Sequence, residues 1–136
     1  MEKKKILVID DDEAIRKSLQ ETLVGVGFEV WTERGGAARW VKAVSEKPEL
    51  LVIDVEMPVM DGMEMLKKLR ESGDWGKTVP AVILTNYDTS DKVIQGVLEN
   101  EPSMYLLKAK ITPEEIADRI KEKLGQTPSN PAPSEV

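Results

Sequence analysis

The chain has 136 residues, enough for one domain with a sizeable core and too few for two ordinary ones. Cysteine and histidine are both absent, which excludes disulfides, thiolate metal sites and thiol nucleophiles, and leaves chemistry to carboxylates, hydroxyls and amines. A net charge of −6 disfavours non-specific binding to nucleic acid or to an anionic membrane. With no signal-peptide stretch at the start and no segment able to span a bilayer, a cytoplasmic location is expected, without membrane or direct nucleic-acid partners.

Apolar runs of strand length alternate with segments of helical period. After Lys3-Lys4-Lys5, read as solvating the entrance to the first strand, Ile6-Leu7-Val8-Ile9 is short, continuous and β-branched, as a strand buried on both faces should be. Ile15, Leu19, Leu23 and Val26 then form one helical stripe that stops at Gly25 and Gly27. Phe28 to Thr32 reads as a half-exposed second strand, and Ala37, Val41 and Val44 as a second helix closed near Pro48. Leu50 to Ile53 is the third strand. Met63, Leu66 and Leu69 mark the third helix, capped by Asp61. A loop with Gly73 and Gly76 leads to a fourth strand over Val79 to Leu84, where Pro80 fits only near the start. Val93, Ile94, Val97 and Leu98 predict the fourth helix, and Met104 to Leu107 the fifth strand. Thr112, Pro113 and Glu115 spell a capping box with proline at the first helical position. The helix they open carries Ile116, Ile120 and Leu124 and stops at Gly125. Residues 125–136 are Pro/Ser-rich and unable to bury a core, so a folded domain over 1–124 with a disordered tail is expected.

Such βα alternation implies an α/β fold with a parallel sheet, and ligands in such sheets collect at the carboxyl ends of the strands. There the sequence places Asp10-Asp11-Asp12, Asp54, Thr85 and Lys108. Gathered carboxylates repel by about 4 kcal/mol at 4 Å and intermediate dielectric. The strain is relieved either by raised pKa values or by a cation. An all-oxygen site suits Mg²⁺, and a lysine beside it points to a phosphate guest. Asp54 is then the nucleophile, with Thr85 and Lys108 binding phosphoryl oxygens. Asp12 reads as a helix cap. Trp31, Trp40 and Trp75 read as packing or surface residues, with no stacking platform for nucleic acid.

Ile6 to Asp12, Asp54-Val55-Glu56-Met57-Pro58-Val59-Met60-Asp61-Gly62, Thr85 and Tyr105-Leu106-Leu107-Lys108 together resemble the receiver domain of two-component response regulators. The resemblance runs from about Lys4 to Leu124. It implies a single-domain, flavodoxin-like, doubly wound sheet of order 2-1-3-4-5 with five helices. It also implies Mg²⁺ held by Asp10, Asp11, Asp54 and the main-chain carbonyl of Glu56, with Asp10 acting mainly through water. Asp54 becomes the phosphorylated residue, Thr85 the switch hydroxyl, Lys108 the phosphate-pairing lysine and Tyr105 an aromatic that turns inward. The implied protein is a stand-alone bacterial regulator, monomeric or dimerising on phosphorylation. It would take phosphate from a sensor histidine kinase or a histidine phosphotransfer protein. It would signal to a downstream protein through the face of the fourth helix, fifth strand and fifth helix. The resemblance further implies that it would catalyse only its own phosphorylation and slow dephosphorylation at Asp54 rather than act as a conventional enzyme.

The family pattern is not followed everywhere. Ala109 replaces a proline that commonly takes a cis bond, and cis before alanine costs about 3 kcal/mol, so a trans bond is expected. Asn86 is larger than the residue usual there, and Glu56 and Tyr87 occupy positions that tune hydrolysis in the family. Pro102-Ser103-Met104 replaces the usual small residue and acid before the Tyr, so an unusual output face is expected. A haloacid-dehalogenase-like phosphatase is the competing enzyme reading. It lacks support because Glu56 stands where the acid/base Asp belongs and the usual cap is missing. A receiver-like module that no longer cycles phosphate is opposed by the intact Asp, Thr and Lys set. A flavodoxin-like cofactor binder is opposed by acids that would repel a flavin phosphate.

Overall fold

A computed structural model of the chain describes residues 3–34, 45–54, 67–85 and 104–125, with Thr85, Tyr105 and Ala109 described as backbone. The apolar runs form strands β1 (Lys5–Ile9), β2 (Glu29–Glu33), β3 (Leu50–Asp54), β4 (Ala81–Thr85) and β5 (Met104–Leu107). They make one five-stranded sheet of order β2-β1-β3-β4-β5, parallel throughout, which is the flavodoxin-like order expected. β3 is buried at every position, and edge strand β2 is half-buried. That difference is why β3 reads as an unbroken apolar run and β2 as a mixed one. Pro80 stands just outside β4, where its lack of an N–H costs nothing and its carbonyl accepts from Leu51 N at 3.0 Å.

Alternation along the strands sorts the core. Ile6, Val8, Leu50, Val52, Val82 and Leu84 face a cluster built with Leu19 and Leu23 of helix α1 (Glu13–Gly25) and Ile116 and Ile120 of a C-terminal helix. Leu7, Ile9, Leu51, Ile53, Ala81 and Ile83 point the other way and are equally buried. Asp12 caps α1, its carboxylate accepting from Ala14 N at 2.9 Å and Ile15 N at 3.2 Å. Gly27, at φ 105°, makes the left-handed turn from α1 into β2 that other residues adopt only with strain.

The segment read as a plain loop around Gly73 and Gly76 is instead partly helical, as α2 (Asp74–Thr78). Tertiary contacts, invisible to periodicity, hold this single turn. Arg70 donates to Gly76 O at 3.1 Å and Val79 O at 2.7 Å, and Trp75 Nε1 donates to Pro48 O at 3.1 Å. Gly76 is buried against Ser72 Oγ and the Leu69 carbonyl with no room for a side chain. A 3₁₀ turn, Lys108–Lys110, follows β5 without a cis peptide bond, as expected for Ala109. Helix α3 (Pro113–Lys123) then opens on the complete Thr112/Glu115 capping box.

The lysines at the entrance do more than meet solvent. Lys4 Nζ donates to Leu124 O at 3.2 Å at the end of α3, and Lys5 Nζ lies 5.0 Å from the Trp31 ring centroid. The predicted second and fourth helices, most of the third, Glu56 with the loop to Gly62, Asn86, Tyr87, Trp40, the 102–103 pair and the tail lie outside the described residues. Of the five helices expected, α1, α3 and the last turn of the third, at 67–70, lie among the described residues.

Candidate functional site

The sheet register determines which residues meet. Ile9 pairs with Ile53, so the next residues along, Asp10 and Asp54, leave neighbouring strands at the same level. Asp54 pairs with Leu84, Leu84 with Leu106 and Thr85 with Leu107, which puts the Thr85 backbone one step beyond and Lys108 one step further. Strand order does the rest: β1, β3 and β4 are adjacent, and the turn after β5 brings the long lysine side chain back over their ends.

Asp10 is 1 % exposed and Asp54 is 4 % exposed; they are the buried acids among the described residues. Lys108 Nζ lies 3.0 Å from Asp54 Oδ2 and 3.7 Å from Asp10 Oδ2. The nearer contact is a charge-assisted hydrogen bond and the longer one is an ion pair alone. Asp10 Oδ1 accepts from Asp12 N at 2.8 Å, but Oδ2 is buried with no hydrogen-bond partner among the described residues. Burial pushes the Asp10 carboxyl from an ordinary 3.8 up to about 7. The Asp12 N–H and Lys108 act against that rise, and the proximity of Asp54 adds to it.

Asp11 is exposed on the turn between β1 and α1. No three acidic side chains gather as a metal-holding group among the described residues. The expected Glu56 carbonyl lies outside them. Thr85 ends β4 and Tyr105 lies in β5 opposite Ile83, but their side chains are outside the description. A feature that periodicity missed is Arg16, whose Nη1 donates to Asp10 O at 2.9 Å and Asp11 O at 3.4 Å. The available signal was a cation one helical turn after the acid run.

The donor set fits a hard divalent cation. All its donors are oxygens, and two are buried acids. Among the described residues Asp10 Oδ2 has no hydrogen-bond partner beyond its 3.7 Å ion pair with Lys108, where such partners are otherwise the rule. Two buried acids sit against one ammonium, and the proton that burial favours on Asp10 is one that a bound cation would displace.

A family model, the response regulator receiver domain, matches residues 6–121. The chain belongs to this family. Among curated relatives, response regulator MprA of Mycobacterium avium is 35% identical over 123 residues, covering 90% of this chain and 52% of the relative. The alkaline phosphatase synthesis transcriptional regulatory protein PhoP of Bacillus subtilis is 40% identical over 119 residues, covering 87% of this chain and 47% of the relative. The receiver chain thus spans about half the length of the curated relatives it matches. Among solved structures, the chemotaxis response regulator CheY4 of Vibrio cholerae superposes with a TM-score of 0.78 at 29% identity, covering 89% of this chain and 98% of that one. Membership sets the phosphatase reading aside. No helix among the described residues of this receiver is long and apolar enough to cross a membrane.

Proposed function

We propose that this receiver accepts a phosphoryl group on Asp54, with Mg²⁺ held by Asp10, Asp11, Asp54 and the Glu56 carbonyl. The observation that carries the proposal is Lys108 bridging two buried acids at the carboxyl edge of the sheet. When bound, the metal supplies positive charge to oxygens that become more negative during transfer. The protein's own part is positional. Asp54 Oδ attacks phosphorus in line with the departing nitrogen of a phosphohistidine on the partner kinase or phosphotransfer protein. An O–P bond forms, the N–P bond breaks, and the imidazole leaves with the bonding pair and takes a proton.

Before transfer, Lys108 offsets the charge of Asp54. Afterwards it pairs with a phosphoryl oxygen, since the group brings about −1.5 to −2 of charge to the same place. The Thr85 hydroxyl, at the end of β4, is assigned another phosphoryl oxygen. Drawing both groups inward repacks the face made by the fourth predicted helix, β5 and α3, with Tyr105 as the turning aromatic, and a downstream protein reads the change. Water later attacks the acyl phosphate and releases inorganic phosphate. The folded domain is assigned to 1–124.

Acetyl phosphate supplies a test without a partner. Intact mass should show one phosphoryl adduct in Mg²⁺, none in EDTA, and none for Asp54→Ala in either condition. An adduct that persists in Asp54→Ala on another residue refutes the assignment.

A further inference from the structure

We infer that Arg16 is a positioning residue that holds the Asp10–Asp12 turn in its cation-binding form; this rests on the proposal that the site takes Mg²⁺. The carbonyl of Asp10 belongs to the peptide before Asp11, and the carbonyl of Asp11 to the peptide after it. Arg16 Nη1 donates to both, at 2.9 and 3.4 Å, so one guanidinium fixes the two peptide planes that flank Asp11. With both planes held, φ and ψ of Asp11 are set, and with them the direction in which its Cα–Cβ bond leaves the chain.

The clamp has a firm base. Arg16 N donates to Asp12 O at 3.0 Å within the first turn of α1, and Asp12 caps that same turn. The other side of the turn is held by Asp12 N on Asp10 Oδ1 and by Asp10 N on Glu33 O at 3.1 Å. Asp11 is exposed, so core packing does not orient it. The arginine is therefore the group that ties an exposed acid to the geometry of its buried neighbour.

Charge alone argues the opposite sign, which makes the inference decidable. A cation beside a cation site repels the ligand, so removing it by charge would tighten Mg²⁺ binding. Loss of a positioning contact would weaken it, and outer contacts of metal ligands are commonly worth 10- to 100-fold in affinity. The test is calorimetric Mg²⁺ titration of the full chain, wild type, Arg16→Met and Arg16→Lys, each checked by circular dichroism. Arg16→Met should bind about tenfold more weakly. Arg16→Lys, which keeps the charge without the planar fork, should recover only part of the loss. Amide exchange at Asp11 and Asp12 should quicken in both variants. If Arg16→Met does not fold, the lysine variant and its exchange rates decide alone. Unchanged or tighter binding in the folded variants overturns the role of Arg16 while leaving the metal site intact. Wild type that ignores Mg²⁺ overturns the metal site itself.

Discussion

Asp10 is nearly fully buried and lies beside Asp54, and among the described residues the Asp12 N–H and the longer arm of Lys108 only partly compensate it. Its carboxyl is raised from 3.8 to about 7, so the folded, metal-free protein keeps a proton there that the unfolded chain releases. Between those two values the native state binds more protons than the unfolded one. The stability contribution of Asp10 therefore falls as pH rises through that window and is fully lost above about 7. Asp10→Asn keeps the Oδ1 acceptor for Asp12 N and discards the charge. In EDTA it should match wild type near pH 4 and exceed it by about 2 kcal/mol at pH 8, read from urea unfolding. A constant difference across that range would mean that Asp10 is not the titrating group. The sequence displayed these residues plainly, because acids directly after a buried apolar strand have few structural reasons to be there. It did not display Arg16, since an arginine in the first turn of a helix is ordinary until its contacts are seen.

The elements that sequence reading placed well are those whose signals are local. β5 was expected over Met104 to Leu107 and is found there, and the α3 capping box is complete because its parts sit within four consecutive residues. α2 escaped because its five residues include a glycine and offer no periodic stripe. It is held by Arg70, Trp75 and a close approach at Gly76, all of which are tertiary. Gly76→Ala should therefore cost about 1–3 kcal/mol in denaturant unfolding, because a Cβ there meets a backbone carbonyl that cannot swing aside. Tolerance without loss would show that α2 adjusts freely.

Across the whole molecule, topology turns scattered residues into a site. Asp10, Asp54 and Lys108 are far apart in sequence, yet the order β2-β1-β3-β4-β5 puts an oxygen of each carboxylate within 3.7 Å of the lysine Nζ. The parallel order was legible as a consequence of βα alternation and of the family resemblance. The actual meeting of the three groups depends on strand register and the turn after β5, which no local signal reports. On the proposed function, phosphate added at Asp54 would replace one partner of Lys108 with a stronger one.

Chemical trapping tests that idea most directly. The protein is treated with acetyl phosphate and Mg²⁺, reduced with borohydride to convert any acyl phosphate to an alcohol, and mapped by peptide mass spectrometry. Homoserine is expected at position 54 in the Mg²⁺ sample and unmodified Asp54 in EDTA. Reduction at another acid, or at none in a sample that carries phosphate, would contradict it.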